Sequence, residues 1–260
     1  MVSKKAIGCI VTVVLVVVAV VVLSVRLTPR TAKFKATFMK RCEAYGETSH
    51  ICEKTLATFQ QAYVGKKHSD FSEGNYDQLF AETPFKHPCG KTMFWSKTKD
   101  LAHEFTKKRD CLFTLEDTLL GSVLDGLEWC GKEGNNETFT EHCTENKTNP
   151  VSSFWKTAST RFAQHACGEV SVMLNGEIDE PYNANSFFGG VEVPNLRSPR
   201  VTQLTVVLVT KENKNQCNNE SLKNLNNILK GKEIVYACKE VTQSHIEKCI
   251  REKKTCGACW

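Results

Sequence analysis

Two acidic segments contain the residues best suited to chemistry, and residues 188–195 form the more informative one. Val191 and Val193 alternate around Glu192, a spacing that predicts a short strand with the valines on one face and the carboxylate on the other. The two glycines before Val191 carry no side chain and leave room for a ligand beside the carboxylate. Such a carboxylate suits a reaction that builds positive charge, for example the cleavage of a glycosyl bond. The alternative is a glutamate at a strand end that faces solvent.

The other acidic segment, residues 114–121, predicts the start of a helix. Thr114 and Asp117 have the spacing of a capping box, although Asp is a weaker partner than Glu at the second position. Glu116 would lie in the first turn, where a carboxylate interacts favourably with the helix dipole. From the residues alone, Glu116 is therefore a first-turn acid of a helix.

Helical periodicity marks the amino-terminal half of the chain. Residues 97–108 place three apolar side chains on one helical face: Leu101, Ala102 and Phe105. Residues 152–166 place four side chains at helical spacing: Trp155, Ala158, Phe162 and Ala166. Helices with one apolar face pack that face against a core.

The carboxyl-terminal half changes to the pattern of a parallel sheet. Residues 170–174 and 188–193 predict short strands, and residues 204–209 are nearly all apolar, as in a strand buried on both faces. A strand at 234–237 follows a helix that has four apolar residues at helical spacing: Leu222, Leu225, Ile228 and Leu229. Strand, helix and strand in this order indicate a right-handed crossover. Ligands of such sheets bind at the carboxyl ends of the strands, where Glu192 is predicted to lie.

A membrane anchor is predicted near the amino terminus. Residues 6–25 contain no charged residue and are long enough to cross a hydrocarbon core of about 30 Å. A cleaved signal peptide is the alternative, but the run is long for a signal peptide and no clear cleavage site follows it. The predicted division of the chain is a cytoplasmic tail (1–5), an anchor (6–25), a stalk (26–40) and an ectodomain (41–260).

The cysteine content places the ectodomain in an oxidising compartment. Of thirteen cysteines, Cys9 lies in the apolar run, which leaves twelve after it, an even number. Sequons for N-glycosylation at Asn136, Asn146 and Asn219 agree with this. We therefore expect a single-pass type II protein of the plasma membrane, with its carboxyl-terminal side outside the cell.

Zinc binding is the competing explanation for the cysteines. Only Cys256 and Cys259 have the spacing of zinc ligands, and no second such pair exists, so no metal site is predicted. The formal net charge is +5 and the basic residues are scattered. This pattern is typical of a solvated surface and argues against a nucleic-acid partner.

Six collinear groups of residues resemble the ADP-ribosyl cyclase family, and in particular its vertebrate type II membrane branch. The matching positions are 94–96 with 99–103, 113–121, 129–131, 149–152 with 154–157, 172–176, and 190–193 with 195–196. They span most of residues 40–256, and on them the chain is identified as a member of the family.

The resemblance implies an α/β fold with two lobes and a cleft between them. The helical lobe is expected at roughly 41–168, and the lobe with the parallel sheet at roughly 169–260. The implied activity is cleavage of the nicotinamide–ribose bond of NAD, which is the substrate, so that no cofactor is needed. Water then gives ADP-ribose as the main product, and attack by the adenine ring gives cyclic ADP-ribose, a link to calcium signalling. The resemblance also implies hydrolysis of cyclic ADP-ribose. Use of NADP, and a homodimer or receptor partner, stay open.

The resemblance also assigns roles to individual residues. Glu192 matches the catalytic glutamate, and Glu116 matches the acidic residue that favours hydrolysis over cyclisation. Six residues match substrate-binding positions: Trp95 and Trp155 in the pocket walls, Asp125 near the nicotinamide carboxamide, Ser159 in the pocket, and Lys97 and Phe188 near the phosphates. Without the resemblance, both tryptophans would be interpreted as core aromatics.

Three positions depart from the family pattern. Lys97 stands in place of an arginine, which keeps the charge but loses the planar fork that grips a phosphate. Phe187 replaces a small hydroxyl residue, and Pro194 replaces a histidine. These changes bear on affinity and product ratio.

Pairing of the cysteines is implied by their positions in the family. The expected disulfides are Cys42–Cys52, Cys89–Cys167, Cys130–Cys143, Cys217–Cys238 and Cys249–Cys256. One further family pair is absent, which leaves Cys111 and Cys259, and these two are predicted to pair with each other.

Two functions compete at this stage. The first is an ecto-NAD glycohydrolase with minor cyclase activity; the second is a catalytically weak receptor or adhesion ectodomain on the same scaffold. A catalytically dead member should lack the Glu192 carboxylate or the pocket tryptophans, and this chain retains them all. An unrelated disulfide-rich glycosidase does not account for the collinear motifs.

Overall fold

The computed structural model describes residues 29–67, 71–108, 111–145, 148–212, 215–254 and 259–260. The predicted anchor, the sequon at Asn146 and Cys256 lie outside the described residues. Within these ranges, no helix combines the length and the apolar character needed to cross a bilayer.

Eight helices of six or more residues occur in the described ranges. They are α1 (Pro29–Tyr45), α2 (Ser49–Gln61), α3 (Asp77–Glu82), α4 (Lys99–Thr106), α5 (Leu119–Leu124), α6 (Pro150–His165), α7 (Glu220–Gly231) and α8 (Gln243–Arg251). The predicted helices at 97–108 and 152–166 correspond to α4 and α6, and α7 contains the predicted Leu222–Leu229 stripe. Local signals set the start of α6, because Asn149 Oδ1 accepts the Ser152 N–H at 2.8 Å and Pro150 occupies the first turn.

An aromatic cluster forms the core of the helical lobe. Its centre is Phe59 of α2, whose ring lies 5.1 Å from that of Trp129 and 6.3 Å from that of Phe154 on α6. Phe34 and Phe38 of α1 pack against the same ring at 6.1 and 5.8 Å, and both are buried. The prediction of a stalk over 26–40 is therefore wrong from Pro29 onward, where the described residues form α1 and contribute two core side chains.

The predicted parallel sheet is present, and it includes a strand from the amino-terminal half. Its strands are β1 (Met93–Ser96), β4 (Gly168–Asn175), β5 (Val201–Thr210) and β6 (Val235–Thr242), in the order β1-β4-β5-β6. The separate pair β2 (Cys130–Lys132) and β3 (Asn135–Phe139) is antiparallel. Since β1 pairs with β4 along its whole length and Phe105 of α4 packs in one core cluster with Ile246 of α8, residues 93–106 lie with the sheet although they precede the lobe boundary predicted at residue 168.

Both faces of the sheet are covered. Val206 and Leu208 of β5 face the core cluster that includes Leu225 of α7, whereas Val207 faces a second cluster with Phe105 of α4 and Ile246 of α8. The nearly unbroken apolar run at 204–209 is thus explained by burial on two sides.

Residues 188–193 do not form the predicted strand. One π-helical turn, Phe188–Glu192, continues directly into a helical turn, Val193–Asn195, in the connection between β4 and β5. Ser186 fixes this turn, because its Oγ accepts the Gly189 N–H at 3.0 Å and its carbonyl accepts the Gly190 N–H at 2.8 Å. The prediction was wrong because three alternating residues are too few to separate a strand from a helical turn that is held by contacts outside them.

The two glycines of this turn are required by backbone packing, which differs from the predicted role of leaving room for a ligand. A Cβ on Gly189 would lie 2.2 Å from the Asn183 carbonyl oxygen, and one on Gly190 would lie 2.8 Å from that of Ala184. The missing side chains therefore allow close packing against the backbone of residues 183–184.

Five disulfides have both sulfurs among the described residues. Four are the pairs implied by the family pattern: Cys42–Cys52, Cys89–Cys167, Cys130–Cys143 and Cys217–Cys238. The fifth joins Cys249 to Cys259, so the expected pairs Cys249–Cys256 and Cys111–Cys259 are both wrong. The chain turns back after α8 through Lys253, which has a φ of 58°, and Cys259 comes within 6.2 Å (Cα–Cα) of Cys249. Cys111 is also disulfide-bonded.

Candidate active site

One cavity of about 470 Å³ brings together all eight site residues that the sequence predicted. They are Glu192, Glu116, Trp95, Trp155, Asp125, Ser159, Lys97 and Phe188. The cavity lies where the end of β1, the start of α5 and the helix α6 meet the turn that contains Glu192. A second cavity of about 420 Å³, lined by α2 and residues 82–88, contains none of the eight.

Glu192 is the buried acid of the cavity, with 7% of its surface exposed. Burial raises the pKa of its carboxyl to about 8, the Ser159 hydroxyl opposes this by donating a hydrogen bond, and repulsion from Glu116 adds to the increase. A carboxyl group in this environment is largely neutral at pH 7 and becomes ionised when a cation approaches it.

Two neighbouring side chains favour the ionised form of Glu116. Trp95 Nε1–H donates to its Oε2 at 3.1 Å, and His103 Nε2 lies 3.3 Å from the same oxygen. Burial favours the neutral acid, but the contacts with His103 and Trp95 outweigh it and lower the pKa of Glu116 below its usual value. The cavity thus contains one carboxylate that is ionised beforehand and one that is largely neutral.

The predicted capping box positions Glu116. Asp117 Oδ2 accepts hydrogen bonds from both the backbone N–H and the hydroxyl of Thr114, each at 2.8 Å. The helix it opens is a single 3-10 turn, Leu115–Asp117, after which Thr118 caps α5. Gly121 packs on this turn so closely that a Cβ would lie 2.0 Å from the Leu115 carbonyl oxygen.

Helix α6 supplies one wall of the cavity. Trp155 and Ser159 are one helical turn apart and both face it. Trp155 is half-buried and packs edge-on against Phe154 at 5.2 Å. Trp95, also half-buried, lines the cavity from β1. Both indoles therefore present a flat surface to the cavity instead of lying wholly in the core.

Asp125 lies at the end of α5 and forms an ion pair with Lys99, to which the sequence assigned no role. Lys99 Nζ contacts Asp125 Oδ1 at 2.9 Å. The backbone is fixed by Arg41 of α1, whose guanidinium donates to the carbonyls of Val123 and Asp125 at 2.9 and 2.7 Å. Basic groups at a helix carboxyl end satisfy carbonyls that have no partner in the helix.

Lys97 and Phe187 occupy the part of the cavity that is most open to solvent. Lys97 follows β1 in a left-handed conformation, with a φ of 59°, and no described carboxylate lies within ion-pair distance of its ammonium group. Phe187 is 50% exposed, whereas Phe188 is buried against Phe94 at 5.9 Å. An ammonium group with no carboxylate partner among the described residues suits a phosphate, and an exposed ring in the same cavity suits an aromatic base.

The residues that sequence reasoning missed are the basic partners of the two acids. Lys99 and His103 are four residues apart on α4, and they contact Asp125 and Glu116, respectively. Their i,i+4 spacing was readable in the sequence, but the contacts depend on the packing of α4 against two distant segments.

The predicted glycosylation sites differ in their surroundings. Asn136 is exposed on β3. Asn219 caps α7, because its Oδ1 accepts the Ser221 N–H at 2.9 Å, and its Nδ2 donates to the Asp179 carbonyl at 2.9 Å. Across the part of the chain that the structure describes, no group of three or more His, Cys, Asp or Glu residues is arranged to hold a metal ion.

The family model described as ADP-ribosyl cyclase matches residues 31–258 of this chain. The chain belongs to the ADP-ribosyl cyclase family. A relative of the same family is the ADP-ribosyl cyclase/cyclic ADP-ribose hydrolase 1 of Mus musculus, 38% identical over 81% of this chain and 73% of its own length. The ADP-ribosyl cyclase/cyclic ADP-ribose hydrolase of Aplysia californica is 32% identical over 81% of this chain and 80% of its own length.

Solved structures of ADP-ribosyl cyclase family members have the same fold. Porcine CD38, in complex with a covalent intermediate, ribo-F-ribose-5'-phosphate, aligns with a TM-score of 0.74 and 38% identity. The alignment covers 80% of this chain and 96% of the porcine protein. The α/β fold with a parallel sheet, expected from the resemblance, is confirmed.

Proposed function

We propose that this chain cleaves the nicotinamide–ribose bond of NAD, releasing mainly ADP-ribose and some cyclic ADP-ribose, and that it hydrolyses cyclic ADP-ribose. The observation that carries the proposal is the single cavity in which the buried Glu192 meets both indoles and Glu116. The relatives are named for the cyclase and hydrolase reactions, and porcine CD38 forms a covalent sugar intermediate.

The central step is the loss of nicotinamide from the ribose. Nicotinamide in NAD is cationic and a good leaving group, so the step needs no strong acid; it needs stabilisation of the ribosyl cation that remains. The cation of the bound substrate lowers the pKa of Glu192 by direct attraction, so the carboxylate forms where and when positive charge is present. Glu192 then stabilises the ribosyl cation or bonds to it.

The fate of the ADP-ribosyl species depends on which nucleophile reaches it. Water gives ADP-ribose, and the adenine nitrogen of the same molecule gives cyclic ADP-ribose. Glu116, ionised by its neighbours, attracts and orients water or a hydroxyl group near the sugar, which favours hydrolysis. This role supports ADP-ribose as the main product.

The remaining cavity residues bind the substrate. Trp95 and Trp155 stack on nicotinamide or adenine, and a cationic ring over an indole gains about 0.5–2 kcal/mol. Asp125 accepts a hydrogen bond from the carboxamide of nicotinamide through the oxygen that Lys99 leaves free. Lys97 contacts the pyrophosphate.

We propose further that residues 6–25 anchor the enzyme in the plasma membrane as a type II protein, with the catalytic domain outside the cell. Support comes from the apolar run, the disulfides and the exposed sequon at Asn136. The cyclic product would link the enzyme to calcium signalling. A receptor or adhesion role is not favoured, since the eight residues needed for catalysis form one cavity.

The test is incubation of membranes containing the full chain with NAD, followed by chromatography of the products. We expect nicotinamide and ADP-ribose in excess over cyclic ADP-ribose. Glu192→Gln, which keeps the shape of the side chain and removes its charge, should lower the turnover number by about 10²–10³-fold. The matched control is Glu180→Gln, at an exposed glutamate outside the cavity, and it should match the wild type. Folded protein without nicotinamide release would overturn the proposed activity.

A further inference from the structure

The two groups that hold Glu116 also contact each other. His103 Nε2 and Trp95 Nε1 both meet Glu116 Oε2, at 3.3 and 3.1 Å, and the imidazole stands edge-on to the indole, with ring centroids 5.5 Å apart and planes at 88°. Each of the three side chains therefore touches the other two. His103 itself does not line the cavity.

The imidazole depends on Glu116 for its polar contact. His103 Nε2 is buried and makes no well-aligned hydrogen bond among the described residues, so its contact with the carboxylate is mainly electrostatic. The charged groups that act on His103 include Glu116 and Asp125, which favour the imidazolium, and Lys99, which opposes it. Asp117 also interacts with His103, which lowers the pKa of that carboxyl against the effect of its burial. A buried ring nitrogen beside one carboxylate is stable only while that pair is intact.

Helix α4 presents both basic groups from one face. Lys99 reaches Asp125 and His103, one turn later, reaches Glu116, so the orientation of both acids depends on how α4 packs. Phe105 of α4 is buried in the second core cluster and contacts Trp260 at 5.2 Å. The helix is thus fixed from the side opposite the cavity, which suits a rigid support for catalytic groups.

We propose that His103 is a positioning residue that holds Glu116 in the orientation and charge state with which Glu116 favours water over adenine as the nucleophile. The proposal rests on the proposed function, in which Glu116 directs the ADP-ribosyl species toward hydrolysis. It assigns to His103 no contact with substrate and no part in the release of nicotinamide.

Removal of the imidazole should change the product ratio more than the rate of nicotinamide release. His103→Leu leaves Glu116 with the indole as its side-chain donor among the described residues, so the carboxylate is less ionised and less well oriented. We expect the ratio of cyclic ADP-ribose to ADP-ribose to rise by up to about tenfold, the effect of losing one charge-assisted contact. The KM for NAD should change by less than about threefold.

His103→Gln provides the conservative comparison. Its amide can donate to Glu116 without a charge, so it should restore part of the wild-type product ratio. His142→Leu is the matched control, because His142 also contacts a glutamate, Glu145, but both side chains are exposed. It should leave the ratio and the rate unchanged.

A double variant tests whether His103 acts through Glu116. In a Glu116→Gln background, His103→Leu should produce no further change in the product ratio. A further shift of the ratio in this background would overturn the proposal. So would wild-type ratios in both His103→Leu and His103→Gln.

An NMR titration of the His103 ring tests its pairing with Glu116 independently of NAD cleavage. The titration also tests the pairing if His103→Leu fails to fold. Glu116→Gln should lower the pKa of His103 relative to the wild type, because the attracting charge is lost. An unchanged titration would overturn the pairing. A wild-type protein that releases no nicotinamide would instead overturn the proposed function, whatever the titration shows.

Discussion

The two acids of the cavity have the same side chain in opposite surroundings. Glu116 lies on a turn that surrounds it with donors, which lower its pKa. Glu192 lies on a turn that buries it with one hydroxyl as its polar partner, and its pKa rises to about 8. The comparison teaches that surroundings alone favour the ionised form of one glutamate and the neutral form of the other. In the proposed function, the first orients the nucleophile and the second ionises beside the cationic substrate.

The largest expected effect is on the pH dependence of kcat/KM for nicotinamide release. In the free enzyme the reactive form of Glu192 is the ionised one, so kcat/KM should rise with pH up to about 8 and level off above it. Between pH 8 and pH 6 it should fall by about fiftyfold. In Glu116→Gln the inflection should move to lower pH, because the repulsion that raises the pKa of Glu192 is gone. An inflection that stays in place would contradict the coupling between the two acids.

A substitution in the turn that contains Glu192 should disturb that residue and leave the surroundings of Glu116 unchanged. Gly189→Ala places a Cβ 2.2 Å from the Asn183 carbonyl oxygen, so the turn that contains Glu192 must shift. We expect a loss of about 1–3 kcal/mol in the free energy of unfolding, with reduced turnover but an unchanged His103 titration.

Gly231→Ala is the matched control for this change. It lies at the end of α7, where a Cβ meets no atom within 4 Å, and it should leave both stability and turnover close to the wild type. A stable and fully active Gly189→Ala variant would show that the turn tolerates displacement.

Removal of the Glu192 charge should stabilise the fold at high pH. The folded-state pKa of Glu192 is raised above its unfolded value, so wild-type stability falls as the pH rises from about 4.5 to about 8. The decrease is about 1.4 kcal/mol for each pH unit within this window. Glu192→Gln should therefore unfold like the wild type at pH 4.5 and at a higher temperature than the wild type at pH 8, as measured by thermal denaturation. Equal melting temperatures at pH 8 would contradict the burial of an acid without a cationic partner.

The smallest expected effect concerns the phosphate side of the cavity. Lys97→Arg restores the guanidinium of the family pattern and should lower the KM for NAD by about threefold, because a planar fork binds phosphate in two places. The turnover number should not change. The exposed Lys230→Arg, on α7, gives a baseline for the same substitution outside the cavity.

Local signals allowed prediction of the Glu116 turn but not of the Glu192 turn. Thr114 and Asp117 interact over three residues, and their hydrogen bonds form in the structure as the capping box requires. The helical turn at Glu192 depends on Ser186 and on the backbone at 183–184, which Val191 and Val193 do not reveal. The pattern at 204–209 was sufficient because it reflects burial on two faces, a property of the sequence run itself.

The residues that line the cavity were predicted from the family resemblance and not from periodicity. No spacing rule connects Trp95, Asp125 and Ser159, which come from three different elements. The basic partners Lys99 and His103 lie in a motif that marks the family, but the sequence of that motif does not reveal which distant side chains they contact. The chain return that pairs Cys249 with Cys259 was likewise not readable from positions alone.

The early start of α1 sets a limit on proteolytic release of the domain. If residues 6–25 span the membrane, residues 26–33 separate the bilayer from Phe34, the first α1 side chain in the aromatic cluster. A protease that cuts beyond Phe34 would remove that ring from the aromatic cluster around Phe59, and one that cuts beyond Phe38 would remove both rings. A cut within residues 26–33 would release the domain with both rings in place, whereas a cut farther along would release a domain that has lost part of its core.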